Sequence, residues 1–151
     1  MTETLSATAN GSPPAETAEF PATVISGDFT YLGNDLDLPG GDGTNDRVSW
    51  DFDFAGTPLS ASDPLQSALL LLTVMPTNEG IETDSVEIRG LTPIVSPDIQ
   101  TLPVGVTSTI SLQLLDHYSS ADILGALVDS KLPMLWQDDV IITFARLDLI
   151  Q

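Results

Sequence analysis

Apolar and polar residues alternate with period two along much of the chain beyond residue 20, the signature of extended strands with one buried face. Between Arg47 and Phe54, Val48, Trp50, Phe52 and Phe54 fall on one side and Arg47, Ser49, Asp51 and Asp53 on the other. The spacing predicts a strand there, with Trp50 in the core. Asp84 to Arg89 alternates again, with Val86 and Ile88 inward, and Thr109 to Leu115 puts Ile110, Leu112 and Leu114 on one face. Ala68 to Met75 is a nearly continuous apolar run of strand length, which suits a central strand covered on both faces. The Asp84–Arg89 strand is expected to pair back on it as a hairpin. The closing stretch, Val140 to Leu149, is aliphatic and β-branched and reads as a last strand.

One segment departs from this period. Ser119 followed by Asp122 forms a capping-box pattern, and Ile123, Leu124 and Leu127 then make an apolar stripe before Lys131. A helix of roughly ten residues, closing one end of a sandwich, is expected from that pattern. About seven or eight strands, one short helix and no repeat predict a mainly all-β fold, an antiparallel β-sandwich or jelly-roll.

The first 19 residues, MTETLSATANGSPPAETAE, hold almost no large apolar side chain and read as a flexible arm. They have neither a basic nor an apolar signal region, so they do not read as a secretory leader. Residues 20–151 are then a single domain, a size that folds around one core without disulfides. Cysteine is absent, which closes thiol catalysis and thiolate metal sites.

Charge changes the picture most. Four basic residues against 22 acidic ones give a net charge of -18. Such a surface repels phosphate backbones and anionic lipid, which excludes nucleic-acid binding and electrostatic membrane attachment. No apolar run approaches the ~20 residues that span a bilayer, so no membrane insertion is expected. The acids also cluster: Asp35, Asp37, Asp42, Asp46, Asp51 and Asp53 fall within one stretch, with Asp28 just upstream. In DLDLPGGDGTND, Gly40, Gly41 and Gly43 allow turns that expose carbonyl oxygens beside hard carboxylate ligands, the chemistry Ca²⁺ requires. The six aspartates are the candidate metal ligands. This string resembles one copy of the glycine- and aspartate-rich repeat of calcium-binding exported toxins and adhesins, with Thr44 inserted and Arg47 following.

Other chemistry is sparse. Asp51 and Asp53 share a strand face roughly 7 Å apart, a spacing that could bracket a cation or a glycosidic bond, or leave two solvated acids. His117 is the lone histidine and has no G-x-S-x-G serine to serve, so it reads as a surface residue before the helix. Trp136, in PMLWQDD, and Tyr31 are candidate sugar-stacking side chains. Asp138 and Asp139 read as the turn before the last strand.

The order ISLQLL, ADILGALVDSKL, LPMLWQDDVIITFARLDL, with SALLLLTVMPTNEGIETDSVEIRG before it, resembles β-sandwich modules of secreted and cell-surface microbial proteins. Ala145, Leu147 and Leu149 match their closing-strand pattern. The resemblance implies an extracellular or cell-surface location. Together these readings favour a non-enzymatic structural or assembly subunit, stabilised by Ca²⁺ and self-associating, or joining other surface proteins, by strand addition. The alternatives are a carbohydrate-binding module with a glycan partner and a salt-adapted cytoplasmic protein.

Overall fold

The computed structural model describes residues 3–14, 23–32, 47–57, 59–77, 84–138 and 140–151. Its strands, in order, are β1 (Thr4–Asn10), β2 (Thr23–Ser26), β3 (Phe29–Leu32), β4 (Arg47–Asp53), β5 (Ser67–Pro76) and β6 (Ser85–Ile88). Then come helix α1 (Pro97–Gln100), β7 (Ser108–Gln113), a 3₁₀ turn (Leu114–Asp116), α2 (Ser120–Gly125), β8 (Lys131–Gln137) and β9 (Val140–Ile150). The strands form two antiparallel sheets, β1-β9-β5-β7 and β2-β3-β4-β8-β6, so the fold is an all-β sandwich.

Period two fixes what lies between the sheets. Val48, Trp50 and Phe52 from β4, Leu132, Met134 and Trp136 from β8, and Ala68, Leu70, Leu72 and Val74 from β5 are all buried. Phe29, Trp50 and Phe52 meet edge to face, with ring centroids 5.7 and 6.2 Å apart. That geometry adds about 0.5–1.5 kcal/mol per pair beyond the area the rings remove from water.

Four expectations need correction. The N-terminal arm is not flexible throughout: Thr4–Asn10 is a strand, paired with Phe144 to Ile150 of β9 over its full length. Leu5, Ala7 and Ala9 alternate inward, and the hydrogen-bonded ladder supplies what their small side chains do not. The Asp84–Arg89 strand does not pair with β5. Both edges of β5 are filled by β9 and β7, so β6 joins β8 in the other sheet. β5 itself is covered completely on one face only; Leu69, Leu71 and Met75 on the other are half-buried. The helix before Lys131 has six residues rather than ten, because the chain turns back through Asp129 and Ser130, both at positive φ.

The capping box is present as expected. Ser119 Oγ accepts from the Asp122 amide at 3.1 Å, and the Asp122 carboxylate accepts from the Ser119 amide at 3.2 Å. Ser119→Ala keeps that amide but removes the Oγ, which caps the Asp122 amide and also donates to its carboxylate at 2.6 Å. It is expected to cost about 1 kcal/mol, read as a lower urea midpoint at unchanged slope.

One side chain binds the sheets across the core. β9 bulges opposite Thr73 and Val74: Thr73 pairs with Phe144 and Val74 with Ile142, which leaves Thr143 unmatched on β5. The Tyr31 hydroxyl, from β3, donates to the Ile142 carbonyl at 3.0 Å and accepts from the Ile142 amide at 3.2 Å. The Gly11 amide takes the Thr143 carbonyl at 3.0 Å. Ile142 is thereby held from the other sheet, and Thr143 by the residue that follows β1 in its own sheet. Tyr31→Phe leaves the two backbone groups of Ile142 without that partner, for an expected loss of about 1–3 kcal/mol in denaturant unfolding.

Candidate functional site

The predicted ligands separate into those described and those not. Asp35, Asp37, Asp42 and Asp46 lie outside the described residues. Asp51 and Asp53 sit on the outer face of β4 and are exposed, as the alternation predicts. Asp53 is already engaged: one carboxylate oxygen accepts from the Ala55 amide at 2.8 Å, and Lys131 Nζ stands 3.9 Å from the other. Both partners of that ion pair are half-exposed, so water and salt screen it. Among the described residues, no three metal-ligating side chains come together.

The sugar-stacking candidates are corrected. Trp136 is 0% exposed and Tyr31 3% exposed, so neither presents a ring face to solvent. Trp136 follows the inward series Leu132, Met134, and Tyr31 follows Phe29; in each case period two outweighs the polar residues that come next. Burial pushes the Tyr31 hydroxyl up to about 12, although its bond to the Ile142 backbone opposes the shift. It is therefore a neutral core hydroxyl. His117 is exposed beside the 3₁₀ turn, as expected, and Asp138 is buried at the turn into β9 with a positive φ of 82°.

One surface cleft gathers basic residues. Asp51, Arg89, Val128, Asp129, Lys131 and Pro133 line a cavity of about 440 Å³, at the end of β8 where Asp129 and Ser130 turn the chain. It holds two of the four basic side chains, Arg89 and Lys131, facing Asp51 and Asp129. All four are exposed, so their charges act through water and recognise little by themselves.

The edges of the four-stranded sheet differ from the rest of this acidic surface. β1 reads TLSATAN and β7 reads STISLQ: seven and six residues with no charge and no proline. Among the described residues no strand pairs with the outer edge of either. An open edge exposes a row of backbone donors and acceptors, and native proteins usually blunt such rows with charge, proline or a bulge. Neither strand carries these devices. In the other sheet, β6 is partly covered, because the Val86 amide and carbonyl bond Ile94 at 3.2 and 2.8 Å. β2 is only four residues long. Sequence inspection missed the edges because which strand lies outermost depends on long-range pairing, while the lack of charge in TLSATAN was legible.

β1 is held at its inner edge by more than its ladder. Ser6 Oγ donates to Asp148 Oδ1 at 2.5 Å, and Arg146 Nε donates to the same oxygen at 2.8 Å. Burial pushes the Asp148 carboxyl up, but the bonds from Arg146 and Ser6 and the Arg146 charge outweigh it, so the carboxyl titrates below its ordinary 3.8. A depressed folded-state value means the stabilisation is complete above the unfolded value and is lost as pH falls through the folded one. Asp148→Asn is thus expected to be less stable than the parent at neutral pH. The difference should shrink toward zero on acidification below 3.8, measured by urea unfolding across a pH series.

Compared with protein-family models, with curated proteins and with solved structures, the chain matches none. No helix among the described residues is long and apolar enough to cross a membrane.

Proposed function

We propose that this chain is a non-enzymatic structural subunit whose copies associate through the open edges of its four-stranded sheet. The observation that carries this reading is the pair of uncharged edge strands, TLSATAN and STISLQ, on a molecule of net charge -18. Copies so charged repel one another, and they approach most cheaply where no charge stands at the point of contact. Backbone pairing along six or seven residues then supplies the attraction.

Salt tests this reading. The Debye length falls from about 30 Å at 0.01 M to about 3 Å at 1 M, so repulsion between copies fades while edge pairing does not. Sedimentation velocity through a KCl series is expected to show a monomer at low salt and larger species at high salt. A single monomer boundary throughout would end the reading.

In the same proposal, Ca²⁺ neutralises the aspartates between β3 and β4, chiefly Asp35, Asp37, Asp42 and Asp46. The support is their spacing among glycines in the sequence. A bound ion would raise the unfolding midpoint in CaCl₂ above that in KCl at equal ionic strength, and chelator would reverse the gain. Equal midpoints would leave general screening, the salt-adapted alternative, as the sufficient explanation.

A further inference from the structure

On that assembly reading, we infer that the partner of the open β7 edge is β1 of a second copy, so that copies add head to tail into an open-ended filament. Strand parity makes the join possible. The sheet is antiparallel throughout in the order β1-β9-β5-β7, so its two outermost strands run in opposite directions. A second copy in the same orientation beside β7 presents its β1 antiparallel to that strand, and the ladder continues unbroken. The same step repeats indefinitely, because each copy keeps one free β1 and one free β7.

Side-chain size favours this join over a two-fold dimer. The inward residues of β1 are Leu5, Ala7 and Ala9, mostly small, whereas those of β7 are Ile110 and Leu112. Setting large against small across a seam fills space. A two-fold β1–β1 pair centred on Ala7 would set Ala7 against itself and Leu5 against Ala9, which leaves the seam underfilled. A β7–β7 pair would crowd isoleucine and leucine. On the outer face, Thr4, Ser6 and Thr8 would meet Thr109 and Ser111, hydroxyl to hydroxyl. The fold already contains that kind of pair: Thr73 Oγ1 and Thr109 Oγ1 stand 3.3 Å apart between β5 and β7.

Sheet geometry sets the filament's dimensions. Four strands at about 4.8 Å each give a rise of roughly 19 Å per copy. Twist of about 20–25° per strand turns each copy by roughly 80–100° relative to the last. That rotation places the five-stranded sheets of successive copies on different sides of the filament.

The chain has no cysteine, so introduced thiols report contacts without background. Thr8→Cys and Ser111→Cys variants, each exposed in the monomer, would be mixed at high KCl and treated with a short bismaleimide. Head-to-tail pairing predicts at least tenfold more crosslinked dimer in the mixture than in either variant alone. Linking of Thr8→Cys to itself as strongly as in the mixture would replace the filament by a two-fold dimer. Large particles of the unmodified chain with no crosslink in any mixture would overturn the β1–β7 join and leave assembly through another surface. No large particles of the unmodified chain at any salt would overturn the assembly reading itself.

Discussion

Phe52→Ala is expected to destabilise the protein by about 3–5 kcal/mol, the range for deleting a fully buried aromatic ring from a packed core. Phe52 is 0% exposed on the inner face of β4, beside Trp50 and opposite Leu132 of β8. Its loss removes transfer energy, an edge-to-face ring contact and the filling of the space between the sheets. Backbone pairing of β4 with β8 on either side of Phe52 along the strand, from Arg47 to Asp53, keeps that space from collapsing. The denaturant midpoint should fall at little-changed slope, and the thermal midpoint by on the order of 10 °C for a domain of this size. A loss under about 1 kcal/mol would mean the ring is not enclosed as described.

Gly27→Ala is the second large effect, from a different cause. Gly27 has a φ of +65° in the turn between β2 and β3, and a Cβ there would lie 2.3 Å from the Asn10 carbonyl oxygen and 2.8 Å from the Gly11 Cα. The turn is pressed against the end of β1, where Asn10 and Asp28 exchange two hydrogen bonds of 2.8 Å. The left-handed backbone costs a non-glycine residue roughly 1–2 kcal/mol, and relief of the overlap roughly 1–3 more. Relief means moving β1, so its amides should also lose hydrogen-exchange protection. Gly56→Ala is the control: its φ is +83° but a Cβ would meet nothing within 4 Å. It should show only the backbone cost and leave β1 protected. Equal losses in the two variants would mean that β1 is not clamped by this turn.

The sequence makes plain those elements whose cause is local. The alternation of β4, the aliphatic run of β9 and the Ser119–Asp122 box each carry their own signal within a few residues. β1 escapes because threonine, serine and alanine are also what flexible linkers are made of; its order comes from β9, more than 130 residues away in the chain. The partner of β6 escapes for a related reason, since hydrophobic pattern fixes which face is buried but not which strand lies alongside. Trp136 could have been placed correctly. The series Leu132, Met134, Trp136 states its inward direction, and the acids after it belong to the next turn. Of the six candidate metal ligands, the outward direction of Asp51 and Asp53 was readable from the strand they occupy, and the other four lie outside the described residues.

The most direct test places a single negative charge on the open edge. Ser111 is exposed on β7, while Ser49 lies on the outer face of β4, inside the other sheet. Light-scattering masses of the parent, Ser111→Glu and Ser49→Glu at about 1 M KCl, where longer-range repulsion is screened, compare an edge charge with a mid-sheet one. Edge pairing requires multimers for the parent and Ser49→Glu and a monomer for Ser111→Glu. A parent that stays monomeric, or a Ser111→Glu that assembles as well as the parent, would contradict it.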